Sequence, residues 1–107
     1  LLFDSLVSAE LLAIAPRRCK KVFVGKRAGR HAMSQQDINQ LLVKYGQQGG
    51  LVVRLKGGDP AIFGRVSEEA AALQRAGIAF ALVPGVTSAC AASAYCGIPL
   101  TARGSAT

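Results

Sequence analysis

Leu51-Val52-Val53-Arg54-Leu55-Lys56-Gly57-Gly58-Asp59-Pro60 is the stretch on which the fold turns. Its first half is β-branched and apolar, the composition that fits a pleated, buried surface, and its second half is a glycine-proline turn, so it predicts a strand that ends in a tight loop. Outward from it, the same alternation repeats. Upstream, Ser34-Gln35-Gln36-Asp37 resembles a capping box with Asp in place of Glu, and Ile38, Leu41, Leu42 and Tyr45 follow at i, i+3, i+4 and i+7, which predicts an amphipathic helix stopped near Gly46. Before that lie Lys21-Val22-Phe23-Val24, a predicted strand, a short helix capped by Ser8 and ended by Pro16, and the apolar stub Leu1–Phe3. Downstream, Ser67 is expected to cap a helix with Glu68 and Glu69 in its first turn and Gly77 at its stop. Phe80–Val83 reads as a fourth strand, Pro84-Gly85-Val86 as a turn, and Thr87 or Ser88 as the cap of a small-residue helix running through Cys96. Strand and helix thus alternate four times. That order implies right-handed crossovers, a parallel sheet covered by helices and an α/β architecture.

Composition is consistent with one folded unit. The chain has 107 residues, half of them hydrophobic and only 18% charged, which supplies a core and argues against disorder. Thirteen Lys and Arg against six Asp and Glu leave a formal charge of +7, suited to an anionic partner. Cys19, Cys90 and Cys96 are an odd set in a cysteine-poor chain, so reduced thiols in a cytoplasm, serving as packing residues, are expected in place of a disulfide framework. Ala76–Ala102 carries no charge, but Pro84-Gly85, Gly97 and Pro99 interrupt it, so no membrane span is predicted. The chain opens on Leu1-Leu2-Phe3-Asp4 and closes on Gly104-Ser105-Ala106-Thr107, the expected look of a piece of something longer.

Open parallel sheets bind ligands at the carboxyl ends of their strands, which directs attention to Asp4–Ser8, Gly25–His31, Lys56–Gly64 and Pro84–Ser88. Lys56-Gly57-Gly58-Asp59-Pro60 matches neither the dinucleotide nor the Walker spacing, and a tight Asx or proline turn and a ligand cradle remain equal readings of it. Asp4 and Lys26 each follow a strand, where a carboxylate base and a cationic donor would face one crevice, although either alone is more often a solvated loop charge. Lys20, Lys21, Lys26, Arg27 and Arg30 with His31 form the densest positive run. With no Trp, and with the Phe and Tyr residues mostly at core-like positions, the stacking platforms of single-stranded nucleic-acid binders are not in evidence. One His, and two cysteines on different faces of a helix, support no metal site.

Val53-Arg54-Leu55-Lys56-Gly57-Gly58-Asp59-Pro60, followed by Ile62-Phe63-Gly64-Arg65 and Glu68-Glu69, resembles the signature of the uroporphyrinogen-III C-methyltransferases, within the tetrapyrrole methylases. Asp4–Ser8, Val24–His31, Val83–Ala89 and Ala94–Thr101 match in the family's order and spacing. The resemblance implies transfer of methyl groups from S-adenosylmethionine to pyrrole carbons of uroporphyrinogen III, giving precorrin-2 for siroheme or cobalamin synthesis. It implies that residues 1–107 are part of the N-terminal domain of such an enzyme, lacking its first strand and its C-terminal domain, and are inactive alone. By the same resemblance Gly57, Gly58, Asp59, Ile62, Thr87 and Ser88 contact the cofactor, Asp4 is the proton acceptor and Lys26 the proton donor. The full-length protein is expected to be a cytoplasmic homodimer, either a stand-alone enzyme or a module of a fused siroheme synthase. Departures from the pattern stand at Ala61, Val66-Ser67 and Ala102, where the family commonly has Phe, two glycines and His.

Two other readings are set beside this one. A tetrapyrrole methylase acting later in cobalamin synthesis differs in its methyl acceptor. A non-catalytic basic module would bind RNA or another polyanion through Lys20–His31 in a salt-sensitive way.

Overall fold

Leu2 and Phe3 form β1, the middle strand of a parallel three-stranded sheet whose order is β2-β1-β3, with Val22–Phe23 as β2 and Arg54–Leu55 as β3. The structure, a computed structural model, describes residues 1–25 and 32–105. Leu2 lies opposite Val22 and Arg54, and Phe3 opposite Phe23 and Leu55. Backbone bonds from Leu2 to Val53, from Val22 to Leu1 and from Val24 to Phe3 carry the pairing a residue beyond each short ladder. Phe3 and Phe23 meet edge to face at 5.5 Å, a favourable quadrupole geometry.

The helices are α1 (Ala9–Leu12), α2 (Gln35–Gln47), α3 (Val66–Arg75) and α4 (Ser88–Cys96). Ser8 and Ser34 accept hydrogen bonds from the Leu11 and Asp37 amides, so both predicted serine caps are present. Helix α2 lays Ile38 and Leu42, one turn apart, against Leu2 and Val24 to form the core, with Val22, Leu41, Tyr45, Val52 and Leu73 packed around it. It ends at Gln47, next to Gly46 as expected, and Gly46 is itself a close-approach site, where a Cβ would come within 2.9 Å of Ile78.

Several expectations are corrected. Helix α3 begins at Val66, with Arg65 in a left-handed conformation (φ 53°) at its cap, so Ser67 lies inside the first turn. The reason is the preceding turn, where Gly64 packs so closely on the Pro60 carbonyl that only glycine fits. Phe80–Val83 forms no ladder among the described residues; Phe80, Leu82 and Val83 are exposed and no neighbouring strand takes up their backbone groups. Alternation therefore holds for three strands only. Cys90 and Cys96 are exposed and Cys19 is half-buried, so the thiols are not core residues. Only some of the aromatic rings take core-like positions: Phe3, Phe23 and Tyr45 are half-buried, with Tyr45 against the core, whereas Phe63, Phe80 and Tyr95 are exposed.

Candidate functional site

Because β1 lies between β2 and β3, the chain leaves the central strand to one side and returns to the other, so the loops after β1 and β3 sit at a topological switch point, the place where open α/β sheets bind ligands. Those loops carry the predicted residues. Asp4 ends β1, and its Oδ1 accepts the Leu6 amide at 3.0 Å in an Asx turn, which fixes the carboxylate at the strand end. Leu6 in turn lies against Gly57, where a Cβ would come within 3.1 Å of the leucine side chain. The end of β2 joins them: Gly25 sits against the Asp4-Ser5 backbone, with room for no larger residue.

The glycine loop is tied to the start of α4. Asp59 Oδ1 accepts the Ala61 amide at 2.8 Å, and its Oδ2 accepts the Gly85 amide at 3.1 Å. Gly85 seats directly on the Gly58 carbonyl, and a Cβ on either glycine would meet the other loop. Gly58 has φ +71°, the left-handed region, and faces Val86 and Thr87. Thr87 caps α4 and Ser88 opens it, so both lie beside the glycine loop. Ile62 is half-exposed and its amide bonds back to the Asp59 carbonyl. Asp59 thus makes the expected Asx turn, and it also ties the glycine loop to the loop before α4. Among the described residues nothing takes up the Gly57 and Gly58 amides. Lys26, together with Arg27, Arg30 and His31 of the basic run, lies outside the described residues.

A charged cluster beneath these loops escaped the sequence reading. Arg54 and Lys56 are two apart at the end of β3 and so share a face. Both reach Glu69 of α3: Arg54 Nε is 3.2 Å from Oε1 and Lys56 Nζ 3.0 Å from Oε2. Gln35 of α2 donates to Oε1 at 3.2 Å. Glu69 is 3% exposed, and among the described residues no buried side-chain polar atom lacks a partner. The cations also extend toward the site, with Arg54 Nη2 4.0 Å from Asp4 Oδ2 and Lys56 Nζ donating to the Gly64 carbonyl. The visible signal was the i, i+2 spacing of the two cations; a helix-dipole role for Glu69 obscured its pairing. The neighbouring Glu68 does serve the helix start. Its bidentate hydrogen bond from Arg65, at 2.8 Å, lowers its pKa below the usual carboxylate range and raises that of Arg65.

No group of three metal-ligating side chains occurs among the described residues, and no helix there is long and apolar enough to cross a membrane.

Residues 2–107 match the sequence model of the tetrapyrrole (corrin/porphyrin) methylases. A siroheme synthase of Actinobacillus pleuropneumoniae serotype 7 (strain AP76) is 58% identical over 102 residues, which are 95% of this chain and 21% of that protein. The uroporphyrin-III C-methyltransferase of Thermus thermophilus, solved with S-adenosylhomocysteine, superposes with a TM-score of 0.75 at 46% identity, over 96% of this chain and 41% of that one. A cobalt precorrin-4 methyltransferase superposes equally well, TM-score 0.75, at 32% identity over 94% of this chain and 41% of its own. The chain thus spans about a fifth of the curated relatives it matches. On the family match, the parallel α/β frame and the loops gathered at its strand ends, the chain is a member of the tetrapyrrole methylase family.

Proposed function

We propose that this chain is part of an enzyme that transfers methyl groups from S-adenosylmethionine to uroporphyrinogen III, yielding precorrin-2, and that the loops after β1 and β3 form part of its site. The observation that carries the reading is the interlocked pair of loops at the switch point, Gly57-Gly58-Asp59 on Gly85–Ser88, with the Asp4 carboxylate beside them. Support comes from the 46% identity to an enzyme solved with the demethylated cofactor, against 32% to the later cobalamin enzyme.

The loops fit a polar, adenosyl-type cofactor. Among the described residues the Gly57 and Gly58 amides have no hydrogen-bond partner, and exposed backbone bare of side chains lets a ligand come close. Thr87 and Ser88 add hydroxyls beside them. When bound, S-adenosylmethionine supplies an electrophilic methyl on a sulfonium. The protein's task is alignment, since holding a methyl group in line with a ring carbon lowers the barrier through positioning more than through any covalent step. The glycine loop positions the cofactor. Asp4, fixed by the Leu6 amide, faces the positive charge that grows on the ring after attack and receives the proton that the macrocycle must then give up from a site other than the newly quaternary carbon. Lys26 acts as proton donor. The +7 charge draws in a polycarboxylate substrate. The full-length protein works as a cytoplasmic homodimer.

The test uses the full-length parent with labelled S-adenosylmethionine and uroporphyrinogen III under reducing, anaerobic conditions, with methyl groups counted by mass. Two methyls per tetrapyrrole are expected, and none with Asp4→Asn. A folded parent that methylates only a later cobalamin intermediate would move the reading to that acceptor.

A further inference from the structure

Glu69 is the most buried charged group among the described residues, and nothing in the proposed chemistry uses it. It is also an uneconomical way to close a core. Desolvating a carboxylate and two cations is offset only by good geometry, and apolar residues of the same volume commonly serve stability as well or better. The geometry shows what the ions do besides. The two carboxylate oxygens are divided between two cations, Oε1 to Arg54 and Oε2 to Lys56. Each cation has a second engagement on a different loop: the Arg54 guanidinium approaches Asp4 after β1, and the Lys56 ammonium holds the Gly64 carbonyl where the glycine loop turns into α3. Gln35 and Asn39 of α2 brace the carboxylate from behind, through a 3.2 Å bond from Gln35 Nε2 to Glu69 and a 2.9 Å bond from the same nitrogen to Asn39.

We propose that Glu69 is a positioning residue with two separable arms, one aiming the proton acceptor Asp4 through Arg54 and the other setting the cofactor loop through Lys56. The proposal rests on the reading of the site given above. A guanidinium can span two carboxylates because its donors form a rigid fork, which an ammonium at the same place cannot do. Lys56, by contrast, has no contact with Asp4 and bears only on the loop side.

The two arms predict different kinetic losses in the full-length enzyme. Arg54→Lys keeps a cation against Glu69 but cannot span to Asp4, so kcat falls by about ten- to a hundredfold while the Kd of S-adenosylhomocysteine, measured by calorimetry, stays within about threefold. Lys56→Met keeps the apolar stem and releases Gly64, so that Kd rises about tenfold or more while kcat at saturating cofactor changes little. Glu69→Gln shows both losses. Since Glu69→Gln removes a buried charge and risks misfolding, the two cation variants, each of which leaves Glu69 at least one cation, decide the matter, with thermal melts to confirm that they are folded. Losses in the same parameter for both cation variants, or wild-type kinetics in either, would overturn the proposal while leaving the methyltransferase reading intact. A wild-type parent that transfers no methyl group to uroporphyrinogen III would overturn both.

Discussion

Gly85 shows how little freedom single positions have where two loops interlock. Its missing side chain leaves room for the Gly58 carbonyl, and its amide is held by Asp59. Backbone on both sides means that neither partner yields as a flexible side chain would. Gly85→Ala is therefore expected to cost about 1–3 kcal/mol by overpacking and to weaken S-adenosylhomocysteine binding by the parent protein, which urea melts and calorimetry would detect. Unchanged stability and affinity would show that the loops are not interlocked in solution. Gly46 has a milder prospect, since the groups in the way are side-chain atoms of Ile78, Cδ1 and Cγ2, and not backbone. There alanine gains up to about 1 kcal/mol of helix propensity, and Gly46→Ala should come out neutral or slightly stabilising. Leu42, 3% exposed in the core, gives the scale for both: Leu42→Ala should cost about 2–5 kcal/mol.

Elements written in local chemistry were legible in the sequence, and those that depend on distant neighbours were not. Ser8 and Ser34 are caps that signal themselves, and the i, i+3, i+4, i+7 row from Ile38 placed α2 on the core. The start of α3 was misplaced because Arg65, an unusual left-handed cap, is set by the Pro60–Gly64 contact, which no cap rule encodes. Phe80–Val83 has the composition of a strand, yet a strand exists only where another strand pairs with it. That the glycine loop and Asp4 stand at strand ends could be read from the strands that precede them, whereas the Glu69 cluster joins β3 to α3 across a gap that periodicity does not span. The first turn of α3 carries its own pH signature. Because the Arg65 hydrogen bond depresses the Glu68 pKa, the pair contributes stability above the unfolded carboxylate range and loses it as pH falls through the folded value. Being fully exposed, it contributes little. Melts of wild type and Glu68→Gln should differ slightly at neutral pH and converge in acid; a difference that persists in acid would assign it to something other than the ion pair.

At the scale of the molecule, the radius of gyration is 16.4 Å, against about 13 Å for a closed domain of this length. Large apolar side chains beyond the sheet and the α2–α3 pair remain in solvent: Val83, Val86, Tyr95 and Ile98 are 78, 72, 93 and 69% exposed, and no residue of α4 is buried. Exposure on this scale is unusual for a self-sufficient monomer. The 107 residues alone are expected to self-associate, with light scattering rising with concentration, and to transfer no methyl groups. A monodisperse, active preparation would contradict both expectations. The Asp59–Gly85 bond finally offers a gauge of the site that needs no catalysis. An amide in an exposed turn ordinarily trades its hydrogen with solvent quickly, but the Gly85 proton is held by a carboxylate from another loop, so its deuterium uptake measures how often the two loops part. Slowing of that one exchange rate on addition of S-adenosylhomocysteine would register ligand closure at a single atom.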